Sequence, residues 1–227
     1  MTHRTRATGI ALAFILGACG GTPPVPDWQF DAKAALERAT AAYLTGDARV
    51  EAAESARARA AVARTGVPAL LARVELARCA ARVASLVFED CAAFSALAPD
   101  ASAEERAYAD YLAGTGRPQD AALLPAWHRE LGGGSAPSDA LGRIADPLPR
   151  LVAAGVLLRS GKADPQVLAL AADTASAQGW SRPLLAWLGV QLQRAEMAGA
   201  LAEAARLRRR IGVVEGAGPV AAPADAH

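Results

Sequence analysis

The feature that most constrains the fold is a regular alternation of helix start and stop signals along the chain. Aspartate or proline stands where helices begin, as at Asp47, Pro68 and Asp164, and glycine stands where they end, as at Gly46 and Gly114. Such residues suit helix termini, whose backbone groups lack partners within the helix. The signals predict helices at 27 or 31 to 44, 48–64, 68–84, 89–97, 103–114, 118–131, 138–145, 147–159, 165–178, 182–194 and 196–210.

The composition favours helices over strands. Hydrophobic residues make up 52% of the chain and aromatic residues only 5%, and much of the difference is alanine. Alanine is the best helix former and adds little volume, so helices rich in it approach one another closely. Because no alternating β-branched segment of useful length is present, we predict an all-α fold with a few large residues as anchors. Arg–Glu pairs at helical spacing are interpreted as solvated faces.

Short loops between successive helices predict antiparallel helical hairpins. Their starts recur near Asp31 and Pro68, and again near Pro147 and Arg182, at separations close to the period of about 34 residues of a tetratricopeptide helix pair. The stretch 99–146 matches no repeat. An unrelated helical bundle is the alternative, because many helices rich in alanine and leucine match so degenerate a template.

Three segments resemble parts of tetratricopeptide repeats. Residues 42–47 (Ala-Tyr-Leu-Thr-Gly-Asp) resemble the turn within a repeat, although they are one residue short. Trp187-Leu188-Gly189 with Leu192 resembles the first-helix pattern, in which Gly189 would admit a neighbouring helix, and 157–162 is a weaker third match. The resemblance implies a right-handed array of stacked hairpins with a concave groove. For periplasmic lipoproteins built on such repeats, it also implies a protein–protein adaptor or scaffold of the cell envelope, without catalysis.

The N-terminus carries a short apolar run at 9–16, preceded by His3, Arg4 and Arg6 and followed by Gly17-Ala18-Cys19. This order of charged, apolar and small residues resembles the signal peptide and lipobox of bacterial lipoproteins. The resemblance implies cleavage between Ala18 and Cys19, and covalent attachment of diacylglycerol and an N-linked acyl chain to Cys19. The alternative is an apolar N-terminus with a chance cysteine.

Cleavage at this position would decide the location and the charge of the mature chain. Gly20 rather than aspartate follows Cys19, so the resemblance implies an anchor in the outer membrane with the body facing the periplasm. Loss of Arg4 and Arg6 leaves 22 basic residues against 23 acidic ones, a formal charge of −1. A near-neutral chain has no electrostatic reason to bind nucleic acid. The predicted partners are therefore the lipid bilayer, through Cys19, and an unknown envelope protein.

Glycine and proline clusters predict how the chain is divided. In order, the predicted parts are a lipoprotein signal peptide (1–18), a lipidated cysteine with a Pro/Gly-rich tether (19–27), an N-terminal helical hairpin region (28–131), a Gly-rich linker (132–137), a C-terminal helical hairpin region (138–212) and a disordered tail (213–227).

Cys79 and Cys91 form an even pair once Cys19 is assigned to lipid. On one continuous helix they would lie about 18 Å apart, too far for a disulfide. They can bond only if the chain reverses between them, with the turn centred near Ser85. Because the periplasm is oxidising, we predict a disulfide there; two buried reduced thiols are the alternative. No histidine cluster accompanies them, which argues against zinc, and no metal or other cofactor is predicted.

Candidates for catalysis are few. His128 is the only histidine away from the termini, and Trp127-His128-Arg129-Glu130 is interpreted as a helix surface beside a buried tryptophan. The carboxylate pairs Glu89-Asp90 and Glu104-Glu105 lie at predicted helix starts, where adjacent side chains point apart and complement the helix dipole. No enzyme is predicted from these residues.

Aromatic residues are the candidates for binding a partner in the predicted groove, with core anchoring as the alternative for each. They are Tyr108, Tyr111, Trp127, Trp180 and Trp187. Two other functions stay open at this point. One is an accessory factor or enzyme acting on peptidoglycan or lipid, and the other is a carrier of lipid or another small molecule.

Overall fold

The computed structural model describes residues 26–129, 131 and 137–216. The predicted signal peptide, Cys19, most of the tether, the glycines of the linker and the tail from 217 onward lie outside the described residues. Within the described part the chain is helical and contains no strand, as the sequence predicts.

The helices, labelled in chain order, have the following bounds: α1 Asp27–Thr45, α2 Ala48–Ala63, α3 Pro68–Ala84, α4 Ala92–Ser95, α5 Ala103–Ala113, α6 Ala126–Arg129, α7 Pro137–Arg143, α8 Pro147–Arg159, α9 Pro165–Ala177, α10 Ser181–Met197 and α11 Leu201–Gly216. Short 3₁₀ helices cover Ala98–Asp100 and Pro118–Leu123.

Most helix ends follow the sequence signals. Asp47 caps α2 by accepting a hydrogen bond from the Val50 N–H at 3.0 Å. Ser102 and Glu105 form a complete capping box at the start of α5, with bonds of 3.2 and 2.8 Å. Gly46 ends α1 at φ 93°, in the left-handed region where a side chain would be strained.

Several predicted bounds are wrong, each for a local reason. α1 begins directly after Pro26, so neither Asp27 nor Asp31 caps it. The helix predicted at 89–97 is reduced to α4 and the 3₁₀ turn, because the chain from 87 to 91 is not helical. The one predicted at 118–131 is a 3₁₀ helix and then α6, separated where Pro125 denies a helical hydrogen bond.

The last two helices also differ from their predicted bounds. Ser181 does not cap α10: Trp180 is the N-cap residue, and the Ser181 hydroxyl donates to the Thr45 carbonyl at 2.9 Å. Gly199, at φ 66°, separates α10 from α11. α11 therefore starts at Leu201 instead of 196 and extends to Gly216, through residues 213–216 that the sequence assigned to a tail.

Successive helices pack as antiparallel hairpins, and one core joins the two halves of the chain. α1 with α2, α2 with α3, α8 with α9, α9 with α10 and α10 with α11 are in contact. α3 also packs on α8, and the start of α10 contacts α1. A single cluster of buried residues extends from Ala72 in α3 to Leu207 in α11. Helices before and after the 132–137 segment thus share their core.

α3 and α8 approach each other closely at Gly155. A Cβ atom added to Gly155 would lie 2.3 Å from the Val83 carbonyl oxygen, so only glycine permits this approach. The sequence had assigned that role to Gly189. This prediction is wrong, because nothing lies within 4 Å of a Cβ added to Gly189.

Buried carboxylates link consecutive helices. Glu54 accepts from Arg38 across α1–α2, Glu75 from Arg59 across α2–α3, and Glu105 from Arg73 across α3–α5. All three glutamates are buried. Glu54 and Glu75 also pair at helical spacing with Arg57 and Arg78, so the interpretation of such pairs as solvated faces is wrong for these two. Burial pushes the pKa of Glu75 upward, but its bonds from arginine outweigh this effect and hold that pKa below its usual range.

Candidate functional site

An open groove of about 860 Å³ lies between α1, α3, α5 and the segment 123–129. α1 and α3 are each antiparallel to α2, so they run parallel to one another with the groove between them. α1 presents Leu36, Thr40 and Leu44, four residues apart and therefore on one helix face. α3 presents Leu76 and Ala80 with the same spacing. The groove floor is consequently aliphatic.

Aromatic side chains enclose the groove from the other side. Tyr108 comes from α5, Trp127 from α6, and Trp180 from the residue that precedes α10. Trp127 is 51% exposed, and its ring meets the buried His128 ring edge-on, with the centroids 6.4 Å apart. These are three of the five aromatic residues that the sequence selected, and the structure brings them to one surface.

The other two predicted binding residues are core residues. Trp187 is fully buried, and its Nε1–H donates to the Ala84 carbonyl at 3.1 Å, which satisfies an otherwise unpaired group at the end of α3. Tyr111 is buried against His128. Neither residue lines the groove, and burial favours the core alternative for both.

His128 and Trp127 have exchanged their predicted environments. The sequence interpretation placed His128 on a helix surface beside a buried tryptophan, whereas His128 is 0% exposed and Trp127 is the exposed residue. α6 is a single helical turn between the groove and the core, so adjacent side chains point to opposite sides of it.

The geometry around His128 is that of a neutral core histidine. The Tyr111 hydroxyl lies 3.1 Å from its Nδ1, and the rings of Tyr108 and Tyr111 pack against the imidazole. Its Nε2 is buried without a hydrogen-bond partner. Burial lowers the pKa of His128 to about 4, so the ring is uncharged at neutral pH. His128 also borders a second cavity of about 340 Å³, where Ser160 and Lys162 are found.

In the carboxylate pairs Glu89-Asp90 and Glu104-Glu105, Glu89 and Glu105 form ion pairs with arginine. Glu105 closes the capping box and binds Arg73, while Glu104 is exposed at the groove rim. The backbone N–H of Glu104 and the Ser102 hydroxyl hold the pKa of Glu104 below its usual range. Glu89 pairs with Arg82 at 2.6 Å.

The groove rim has a small excess of negative charge. Glu37 on α1 has only a long contact of 3.8 Å to Lys33, and Glu104 stands opposite on α5. Arg73 is engaged by Glu105, and Arg129 donates from Nε to the Leu124 carbonyl at 2.8 Å. The arrangement leaves two exposed carboxylates beside an apolar floor.

The cysteine pair lies where the sequence predicts. The chain reverses after α3, with Ser85 as the C-cap residue and Leu86 in the left-handed region at φ 59°. The Cα atoms of Cys79 and Cys91 are 6.0 Å apart and their sulfur atoms are joined.

The sequence patterns considered above do not predict the aliphatic part of the groove, although the spacing of leucines along α1 indicates it. Along α1, Ala32 and Ala35 pack with residues of α2, while Leu36 and Leu44 line the groove and Leu36 also touches the alanine cluster. A helix with two apolar faces must bury both, or present one to a ligand.

Among the described residues, no group of three or more side chains could hold a metal ion. Within the same ranges, no helix combines the length and the apolar character needed to cross a membrane. No protein-family model, curated protein or solved structure matches this chain.

Proposed function

We propose that this protein is a lipid-anchored adaptor of the bacterial cell envelope, whose groove binds an apolar segment of a partner protein. The observation that carries the proposal is the open groove of about 860 Å³, with an aliphatic floor and three aromatic side chains on its wall. Recognition grooves of this kind take the apolar face of an amphipathic helix.

The proposed fold family supports the position of the groove. In stacked helical hairpins the first helices of successive pairs line a concave surface that binds partners. Here α1 and α3 would be those first helices, with α2 between them on the opposite side. The α8–α9 and α10–α11 hairpins would be further units of a tetratricopeptide-like, right-handed array.

The lipid anchor rests on the N-terminal residues. The basic start, the apolar run and Leu16-Gly17-Ala18-Cys19 are what a lipoprotein signal peptidase would need, and Gly20 favours the outer membrane. Mass spectrometry of the protein from membranes tests this. We expect a chain that begins at acylated Cys19, and a chain that retains residues 1–18 would contradict the anchor.

The proposed partner segment has an apolar face bordered by lysine or arginine. The apolar face would cover Leu76 and Trp127, and the basic residues would meet Glu37 and Glu104 at the rim. Rim charges of this kind set orientation and association rate more than affinity.

Photo-crosslinking in cells tests the groove. A photoreactive residue at Ala41, exposed inside the groove, is expected to capture a partner, whereas one at Ala53, exposed on α2, is not. Trp127→Ala should reduce capture from Ala41 several-fold, because a half-exposed aromatic anchor is lost. Equal capture at both positions, or capture unaffected by Trp127→Ala, would contradict the adaptor.

A carrier of lipid or another apolar small molecule is the second candidate. The groove volume falls within the range of about 300–1,000 Å³ for small-molecule sites, and its lining is predominantly apolar. Stoichiometric lipid extracted from purified protein, and lost in Trp127→Ala, would favour the carrier over the adaptor.

A further inference from the structure

Two large apolar side chains near the starts of α1 and α3 are exposed. Trp28 in α1 and Leu70 and Leu71 at the start of α3 pack on the same small cluster, so α1 and α3 begin at the same end. There Phe30 is 60% exposed and Val67 is 45% exposed. These two side chains are termed the N-terminal apolar end; Trp28, two positions before Phe30 and so on another side of α1, packs on the cluster instead.

The chain itself indicates what this end faces. α1 begins at Asp27, eight positions after Cys19, and eight residues span at most about 28 Å. α1 has 19 residues and is therefore about 28 Å long. If Cys19 is lipidated, as the proposed function holds, the start of α1 is confined within one helix length of the bilayer. The opposite end of the hairpin is free to point away.

We infer that the N-terminal apolar end rests on the bilayer surface, with Phe30 inserted at the interface. The partner is thus a lipid surface, and the inference rests on the lipid anchor of the proposed function. Exposed phenylalanine and leucine side chains of peripheral segments insert at the boundary between headgroups and acyl chains. One phenylalanine and one valine bind a bilayer weakly on their own. A short tether to the same bilayer raises their effective concentration at its surface, so even a weak contact becomes populated.

Charge gives this end no preference for one type of lipid. Asp31 pairs with Arg64 at 3.1 Å and Lys33 with Glu37 at 3.8 Å, so the described residues here form no basic patch that would select anionic lipids. The contact should therefore form on neutral and anionic bilayers alike, and should persist at high salt.

Depth-dependent quenching in vesicles tests the inference on the full-length lipidated protein. Val67→Cys and Val50→Cys are the matched pair, because both valines are exposed, at 45% and 37%, and they lie at opposite ends of α2: Val50 in its first turn and Val67 just past its last. Each cysteine carries an environment-sensitive fluorophore, and the vesicles of phosphatidylethanolamine and phosphatidylglycerol contain a lipid with a nitroxide near its headgroup. The protein without an added cysteine serves as the labelling blank.

We expect quenching at position 67 at least twofold stronger than at position 50. Phe30→Ser should reduce the quenching at 67, and because Phe30 is exposed this variant should melt like the parent. Equal quenching at 50 and 67 in protein that floats with the vesicles overturns the inference and leaves the anchor intact. Protein that does not float because Cys19 lacks lipid overturns both.

Discussion

Replacing Gly155 with alanine is the sharpest test of the helix packing. The added Cβ would lie 2.3 Å from the Val83 carbonyl oxygen and 2.9 Å from Val83 Cγ1. The oxygen belongs to the backbone of α3 and cannot rotate away. α3 and α8 must therefore separate by about 1 Å to restore ordinary van der Waals contact.

Two opposing effects set the change in the free energy of unfolding. Overpacking a core destabilises a protein by about 1–3 kcal/mol, and we expect Gly155→Ala near the upper value because the clash is with a backbone atom. Alanine regains up to about 1 kcal/mol of helix propensity. The free energy of unfolding should therefore fall by about 2 kcal/mol, which lowers the Tm of a domain of this size by about 4–8 °C.

Gly189→Ala is the matched control, because Gly189 is also helical but nothing lies within 4 Å of its added Cβ. This variant should gain about 0.5–1 kcal/mol. Thermal and urea unfolding of both variants, followed by circular dichroism, gives the comparison. If the two variants have the same free energy of unfolding, α3 and α8 do not approach each other this closely at Gly155.

Three further predictions concern the core. Burial lowers the pKa of His128 from 6.5 to about 4, so unfolding between these pH values takes up a proton. The free energy of unfolding should therefore fall by up to about 3 kcal/mol as the pH is lowered from 6.5 to 4. Urea unfolding at several pH values should show this fall in the parent and not in His128→Gln. Replacing Cys79 and Cys91 with alanine should cost roughly 3 kcal/mol, and thiol alkylation of the unreduced parent should modify neither; two reactive thiols would refute the disulfide. Trp187→Phe leaves the Ala84 carbonyl unpaired and should cost about 1–3 kcal/mol in the same assay, with Trp127→Phe as a near-neutral exposed control.

Local chemistry explains which elements could be predicted from the sequence. Asp47, Pro68 and the Ser102–Glu105 capping box act on backbone groups within one turn, so they mark helix starts whatever lies around them. The reversal at Ser85 follows from the reach of a disulfide, which is a short-range geometric limit. Ser181 was misassigned as a cap because its hydroxyl binds a distant helix, which no local rule detects.

The candidate site was only partly predictable for the same reason. Tyr108, Trp127 and Trp180 come from segments far apart in the chain, and only the packing of α1, α3 and α5 places them around one groove. Whether an aromatic side chain is core or surface depends on which neighbour covers it. Trp187 is buried and donates to the Ala84 carbonyl at the end of α3. Trp127 is exposed, whereas the adjacent His128 is buried in the core.

The sequence by itself determined a helical chain, the start of most helices, the position of the Cys79–Cys91 reversal and a candidate lipid-attachment site. Each depends on interactions within a few residues or on a short contiguous motif. The tertiary structure decided that Gly155 rather than Gly189 allows close helix contact, that glutamates are buried between helices, and that a groove exists. These properties depend on residues brought together from distant parts of the chain, because burial and contact are set by packing and not by neighbours in sequence.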